Sequence, residues 1–194
     1  MPAEETQWQG REGVLAVKRW LEHTVRFLLP YDVYTNATRT TLKTYDGEKR
    51  FDLRGDHYDE RFENPQEIYI EVKNYTTDQG LAGEFIDFVA NAYSATQCEW
   101  DRMGQDPGWH FMFASTHAWS STKYWQLTEL ESLREACAKR PHLMLPEGAD
   151  EERLRILSQR LFVWVISRRQ EDMTMGSGFR GDIFNIIGKR GVDG

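Results

Sequence analysis

Residues 67–75 read EIYIEVKNY, and this segment decides the fold. Aliphatic residues at 68, 70 and 72 alternate with Tyr69, Glu71 and Lys73, which is the two-residue period of a β-strand. Successive side chains of a strand point to opposite faces, so Glu71 and Lys73 share one face and Val72 projects from the other. The aliphatic residues around Glu71 predict a strand inside a sheet, where a charged side chain is costly without a partner.

A second strand is predicted in residues 49–58, which read KRFDLRGDHY. Phe51 and Leu53 alternate there with polar residues that include Asp52 and Asp56. If the two strands are antiparallel neighbours, an acidic residue of the first lies beside the glutamate of the second. The pattern favours Asp52 for this position and leaves Asp56 as the alternative, because both have the same strand parity.

Two carboxylates held close together repel each other, and such a pair usually indicates a bound cation. Oxygen ligands favour Mg²⁺, with Mn²⁺ as a substitute, over softer metals. Asp52 and Glu71 are therefore the predicted metal ligands, and the main-chain carbonyl of Val72 can complete the coordination. Lys73 can orient an attacking water or offset charge that develops on a phosphoryl group. Together these residues predict metal-assisted hydrolysis of a phosphodiester.

Further helices and strands are predicted on both sides of these two strands. Amphipathic helices are expected over about 10–29, 79–100, 122–139 and 149–160, and strands over 33–45, 109–115 and 161–167. Pro30 is expected to end the first helix and Asp78 to cap the second. This order of helices and strands indicates an α/β fold with a mixed sheet flanked by helices.

The composition predicts one domain over residues 1–194, because 40% of the 194 residues are hydrophobic and 28% are charged. Cys98 and Cys137 have no CxxC partner, which argues against a Cys-rich zinc site and a secreted disulfide framework and favours the cytoplasm. No apolar run is long enough for a membrane-spanning helix, so no membrane partner is expected.

The formal net charge of −7 argues against a protein that coats nucleic acid through bulk electrostatics. The charge is uneven along the chain, since residues 151–194 contain 8 basic and 6 acidic side chains, a net charge of +2. Arg168, Arg169 and Arg180 in this part are predicted to contact phosphates beside the site. A small acidic protein that hydrolyses phosphodiesters is also expected to form a homo-oligomer or to join a larger complex in order to hold its substrate.

RFDLRG (50–55) followed by IYIEVKNY (68–75) resembles the PD-(D/E)XK nuclease superfamily, which has the restriction-endonuclease-like fold. In that fold the common core has the order helix, three strands, helix, strand, which is also the predicted order here. The resemblance covers about residues 10–118. It leaves about 119–194 as a C-terminal extension that contains helices and an extra strand.

The resemblance implies a role for each matching residue. Asp52 and Glu71 would bind Mg²⁺ and Lys73 would be the catalytic lysine of a nuclease that cleaves DNA or, less often, RNA and leaves a 5′-phosphate. Phe51 stands where the family pattern has a proline. Members of this superfamily commonly serve restriction, phage defence, repair and recombination.

Four further residues are candidates for supporting roles. Many members carry an acidic residue on the first helix that supports a second metal, for which Glu22 is the candidate and Glu12 the alternative. Gln79 resembles a glutamine that some members place after the lysine. Tyr75, just past Lys73, is a candidate for lining the substrate channel.

Two other functions fit the same sequence. A non-catalytic interaction subunit would keep the nuclease-like fold and use the Trp-rich C-terminal region to dock onto a larger nucleic-acid-processing complex. A hydrolase of free nucleotides would act without nucleic acid. An enzyme of the nuclease type should bind Mn²⁺ through Asp52 and Glu71, and Glu71→Ala should abolish both binding and cleavage. If the protein is instead an interaction subunit, Glu71→Ala should bind its partner as the wild type does.

Overall fold

Four helices and seven strands make up the part of the chain that the computed structural model describes, which is residues 3–59, 61–75, 77–118 and 124–166, with side chains from Trp8 onward. The helices are α1 (Ala3–Thr24), α2 (Leu81–Met103), α3 (Leu130–Ala138) and α4 (Glu151–Ser158). The strands are β1 (Phe27–Asp32), β2 (Thr41–Thr44), β3 (Gly47–Arg50), β4 (Leu53–His57), β5 (Gln66–Lys73), β6 (His110–Ser115) and β7 (Leu161–Val165).

The main sheet has five strands in the order β1, β4, β5, β6, β7. β4 is antiparallel to both β1 and β5, whereas β5, β6 and β7 run parallel. The predicted α/β class with a mixed sheet is therefore confirmed. β5 is the central strand, and its residues 68–72 are all buried, as expected for a strand that is covered on both faces. β7 adds a strand from the predicted C-terminal extension to this same sheet.

The two long helices cover opposite faces of the sheet. Ile70 of β5 joins Val17 of α1 in one buried cluster. Tyr69, the preceding residue, joins Phe88 of α2 in a second cluster. Because side chains alternate along a strand, Glu71 follows Tyr69 onto the α2 face of the sheet. The predicted alternation of β5 thus places Glu71 and Lys73 on the face that α2 covers.

α1 ends at Thr24 rather than at residue 29, and Pro30 lies inside β1 instead of stopping the helix. The predicted helix end was therefore wrong. Proline cannot donate a ladder hydrogen bond, but β1 is an edge strand of the main sheet, where proline is tolerated. The pairing of β1 with β4 is also irregular between Leu28 and Tyr31, the stretch that contains Pro30.

The strands before β5 are shorter than predicted. Within 33–45 only Thr41–Thr44 is a strand, and it follows a turn of 3₁₀-helix at Ala37–Thr40. Residues 49–58 divide between β3 and β4, because the chain leaves the β2–β3 hairpin at Phe51 and buries that side chain completely against α2. β2 and β3 pair with each other and form a separate two-stranded sheet.

α2 begins at Leu81, behind Gly80, and the side chain of Asp78 does not cap it. The backbone of Gly80 has a φ of 86°, a left-handed conformation that glycine adopts without strain. The predicted cap was wrong because this glycine occupies the capping position. Of the predicted helix over 122–139, the described part contains a 3₁₀ turn at Tyr124–Thr128 and then α3. None of the helices in the described ranges is long and apolar enough to cross a membrane.

Candidate functional site

Asp52 immediately precedes β4 and lies next to the stretch of β5 that contains Glu71. Leu53, the first residue of β4, pairs with Ile70. The Asp52 N–H donates to the Ile70 carbonyl at 2.9 Å. The Val72 N–H donates to Oδ2 of Asp52 at 2.7 Å. Main-chain and side-chain hydrogen bonds therefore hold the Asp52 carboxylate against β5, next to Glu71.

Asp56 lies at the other end of the strand pair. It faces Glu67, which precedes Glu71 by four residues, or about 13 Å along an extended strand. Burial and then the charge of Glu67 raise the pKa of Asp56, while the charge of Arg54 lowers it. Of the two predicted aspartates, the structure brings Asp52 to Glu71 and leaves Asp56 in a separate group of charges.

Glu71 is 6% exposed and forms ion pairs with two lysines. The Nζ atom of Lys73 lies 3.0 Å from Oε1 of Glu71. The Nζ atom of Lys49, on β3, lies 3.0 Å from both Oε1 and Oε2. Such contacts between charged partners are stronger than neutral hydrogen bonds, so they fix the orientation of the carboxylate. Glu71 thus faces Asp52 with both of its oxygens engaged by cations.

Lys73 is held between two carboxylates. Besides Glu71 it contacts Glu84, in the first turn of α2, with 2.8 Å between Nζ and Oε2. The hydroxyl of Tyr75 donates to the other oxygen of Glu84 at 3.2 Å. Tyr75 therefore lies at the site, in contact with the residue that positions Lys73. Gln79 is exposed and precedes α2 by two residues.

The electrostatics of the cluster follow from its partial burial. Burial lowers the pKa of Lys73, but the charge of Glu71 and the hydrogen bonds that Lys73 donates to Glu84 and Glu71 outweigh burial, so the pKa is raised and the side chain is an ammonium ion at neutral pH. Burial and then the charge of Glu71 raise the pKa of Asp52 to about 7, against the opposing effects of the Val72 N–H, Lys73 and Lys49. Burial and the charge of Glu71 therefore disfavour the charged form of Asp52 in the protein alone.

Glu22, the candidate on α1, lies apart from this cluster. Oε1 of Glu22 accepts a hydrogen bond from the Leu29 N–H at 3.1 Å, on the α1 side of the sheet. Leu29 follows Leu28, which pairs with Asp56, so the structure places Glu22 toward the far end of β4 from Asp52. Glu12 lines a cavity of about 240 Å³ with Asn74, the residue after β5.

Two residues of the cluster, Lys49 and Glu84, were not predicted from the sequence. The Asp46-Gly47 pair is a common hairpin turn and was the available signal that Lys49 belongs to a hairpin rather than to the strand of Asp52. Glu84 precedes the buried Phe85 of α2, so a charge stands beside the apolar stripe at the start of that helix. The predicted phosphate contacts Arg168, Arg169 and Arg180 lie outside the described residues.

Hard oxygen donors of the cluster suit a magnesium ion. Because the N–H and C=O of one strand residue point to the same side, the Val72 carbonyl faces the side on which Asp52 lies. In the described ranges, no group of three or more His, Cys, Asp or Glu side chains could hold a metal ion. Two carboxylates and a carbonyl nevertheless fit Mg²⁺, which keeps several waters and is often bound by one or two protein carboxylates together with substrate phosphates.

Comparisons of the chain with protein-family models, with curated proteins and with solved structures found no match.

Proposed function

We propose that the chain is a metal-dependent nuclease that hydrolyses phosphodiester bonds, with DNA as the first substrate to test and RNA as the second. One observation carries the proposal: the Asp52 carboxylate accepts a hydrogen bond from the Val72 N–H, next to Glu71, and Lys73 lies 3.0 Å from Glu71 on the same face of β5. Few structural roles require two facing carboxylates and an ammonium ion at the end of a buried central strand.

Each residue has a distinct role in the proposed reaction. Asp52, Glu71 and the Val72 carbonyl would hold Mg²⁺ or Mn²⁺. When bound, the ion supplies a positive charge for a phosphate oxygen and lowers the pKa of a water. Lys73 would orient the attacking water and offset the negative charge that develops on the phosphoryl group. Glu84 would keep Lys73 in place, because its Oε2 lies 2.8 Å from Nζ.

The order of the elements also supports the proposal. Three strands of the main sheet, β1, β4 and β5, lie between α1 and α2 in the sequence, and β6 follows α2. This is the order helix, three strands, helix, strand that the resemblance to the PD-(D/E)XK superfamily implies. We propose a restriction-endonuclease-like core on this basis, with the β2–β3 hairpin inserted between its first two strands.

The first test is a cleavage assay. Supercoiled plasmid, linear duplex, single-stranded DNA and RNA are incubated with the full chain and Mg²⁺, Mn²⁺ or EDTA. We expect cleavage that requires the metal and falls about a hundredfold or more in Lys73→Ala. Lys43→Ala is the matched control, because Lys43 is an exposed lysine of the neighbouring hairpin. No cleavage of any substrate, or equal cleavage by the wild type and Lys73→Ala, would contradict the proposal.

A non-catalytic interaction subunit is the second candidate, and one observation favours it. Lys49 and Lys73 already compensate the charge of Glu71 in the protein itself, as they would in a purely structural cluster. Such a subunit would bind no Mn²⁺, and Glu71→Ala would leave its partner binding unchanged. Titration of Mn²⁺ into the wild type and Glu71→Ala separates the two functions, because only the nuclease loses a binding event in the variant.

A further inference from the structure

Lys49 contacts the same two oxygens of Glu71 that a metal would use. Its Nζ atom lies 3.0 Å from each of them, a symmetric contact that spans the carboxylate. The Nζ atom of Lys73 lies 3.0 Å from Oε1. Lys49 is therefore a counter-ion of Glu71, next to Asp52.

The two lysines differ in what else holds them. Lys73 keeps Glu84 as a second acidic partner if Glu71 is taken by another cation. For Lys49, Glu71 is the one carboxylate within ion-pair distance among the residues that the structure describes. Once Glu71 gives up this contact, Lys73 stays in place, whereas Lys49 loses its ion-pair partner among the described residues and keeps only the longer-range attraction of Asp52.

Lys49 can change partners while its hairpin stays in place. β2 and β3 form a two-stranded sheet of their own, and Leu42 of β2 together with the hydrogen bond from the Tyr45 N–H to Oγ of Ser94 holds this sheet against α2. The Lys49 side chain is 22% exposed, so its ammonium group can reach solvent or a ligand without unfolding the hairpin. A long, flexible lysine side chain is suited to binding phosphate as a point charge.

We propose that Lys49 is a positioning residue with two alternative partners: it binds Glu71 in the metal-free protein and binds a phosphate of the nucleic acid once Glu71 coordinates the metal. This inference rests on the proposed nuclease function. Lys49 would thus couple metal loading to substrate binding. In this exchange the two positive charges of the metal ion replace the single charge of Lys49 at Glu71, and Lys49 then pairs with the negative charge of a phosphate.

Metal affinity without nucleic acid is the first measurement. Mn²⁺ is titrated into the full-length wild type, Lys49→Met and Lys43→Met by calorimetry. Removing a competing ammonium ion should tighten Mn²⁺ binding by Lys49→Met about fivefold, since a partly exposed ion pair contributes modestly. Lys43→Met, on the paired strand of the same hairpin, should bind Mn²⁺ like the wild type. A merely structural lysine would give weaker or unchanged Mn²⁺ binding in Lys49→Met, and that result would overturn the proposal.

Nucleic-acid affinity is the second measurement. A fluorescently labelled duplex DNA is titrated with each protein in Ca²⁺, which replaces Mg²⁺ to suppress cleavage, over a series of salt concentrations. Lys49→Met should bind more weakly, and the slope of log affinity against log salt should fall by about one, the loss of one phosphate contact. An unchanged slope would overturn the phosphate role. Failure of the wild type to bind Mn²⁺ would instead overturn the proposed nuclease function, and this inference with it.

Discussion

The Nζ atom of Lys73 lies 2.8 Å from Oε2 of Glu84, which ties the end of β5 to the first turn of α2. The other oxygen of Glu84 accepts a hydrogen bond from the Tyr75 hydroxyl at 3.2 Å. Both carboxylate oxygens are thus engaged, and Glu84 can hold Lys73 in one position. A catalytic group that is held by its neighbours is effective because its geometry is set before the substrate arrives.

Glu84→Gln should reduce cleavage about tenfold, the usual effect of losing a residue that orients a catalytic group. Mn²⁺ affinity should change little, because Glu84 contacts Lys73 and not Asp52. The charge of Glu84 contributes to the raised pKa of Lys73, so that pKa should also fall in the variant. The check is the pH dependence of the cleavage rate, whose high-pH limb should move to lower pH.

Glu152→Gln is the control for Glu84→Gln. Glu152 pairs with Arg155 on the exposed side of α4, where an ion pair contributes little. The Glu152→Gln variant should cleave like the wild type at every pH. A wild-type cleavage rate in Glu84→Gln would show that Lys73 does not depend on this contact.

Asp52→Asn should weaken Mn²⁺ binding by more than about tenfold, because one of the two anionic oxygen ligands becomes a neutral amide. The asparagine oxygen can still accept the Val72 N–H, so the strand pairing is expected to survive the substitution. Asp56→Asn should retain wild-type affinity, since Asp56 faces Glu67 at the other end of the strand pair. Calorimetric titration of Mn²⁺ into both variants measures the difference, and the reverse order of affinities would make Asp56 the ligand.

The two-residue repeat of a strand predicted Asp52 beside Glu71 and left Asp56, which has the same parity, as the alternative. The register of β4 and β5 decides between them, because it sets Asp56 opposite Glu67.

The sequence could not predict the contacts of Lys49 with Glu71 and of Glu84 with Lys73. Lys49 reaches Glu71 because the hairpin turns back over the sheet, and Glu84 reaches Lys73 because α2 starts behind Gly80. Both contacts depend on how separate elements pack, which no local pattern encodes.

The same limit explains the misplaced end of α1. The apolar spacing from Val14 to Leu28 continues smoothly, so the sequence pattern extends the helix to Pro30. In the structure β4 offers hydrogen bonds to the chain from Phe27 onward, and a strand replaces the last helical turn. Tertiary hydrogen bonding therefore overrides a helix pattern at this point.

Gly55→Ala should destabilise the protein by about 2–4 kcal/mol, because an added methyl group meets backbone that cannot move away. A Cβ atom at Gly55 would lie 1.9 Å from the carbonyl oxygen of Leu28 on the neighbouring β1. β1 would have to separate from β4 to make room. Urea denaturation measures the loss as a lower midpoint at an unchanged slope.

Gly83→Ala is the matched control for the glycine prediction. A Cβ atom at Gly83, in the first turn of α2, meets nothing within 4 Å. Alanine favours the helix over glycine, so this variant should be more stable by about 0.5–1 kcal/mol. If Gly55→Ala and Gly83→Ala changed the free energy of unfolding equally, the close approach of β1 would not exclude a side chain at position 55.

A buried histidine pair at the far end of β4 should make the stability of the fold depend on pH. Nε2 of His57 lies 2.8 Å from Nδ1 of His110, and both residues are less than 5% exposed. Burial and then the charge of His57 lower the pKa of His110 to about 3. Burial also lowers the pKa of His57. Both imidazoles are therefore neutral in the folded protein, with one ring nitrogen donating and the other accepting.

The sign of the pH effect follows from proton uptake. An unfolded histidine has a pKa of about 6.5, so between pH 6.5 and about 3 the unfolded chain binds a proton that folded His110 does not. The stabilising contribution of the neutral pair is thus present above pH 6.5 and is lost as the pH falls. His110 therefore contributes a slope of up to about 1.4 kcal/mol per pH unit in this range.

His110→Phe should therefore flatten the pH dependence of the free energy of unfolding between about pH 4.5 and 6.5. The aromatic replacement suits the surroundings, since the His110 ring packs against Phe62 and Phe162. The readout is the slope rather than the absolute stability, because His57 loses its partner in the variant. His142→Gln, at an exposed histidine, is the control and should keep the wild-type slope. The experiment is urea denaturation at several pH values, and equal slopes in all three proteins would mean that His110 takes up its proton in the folded state.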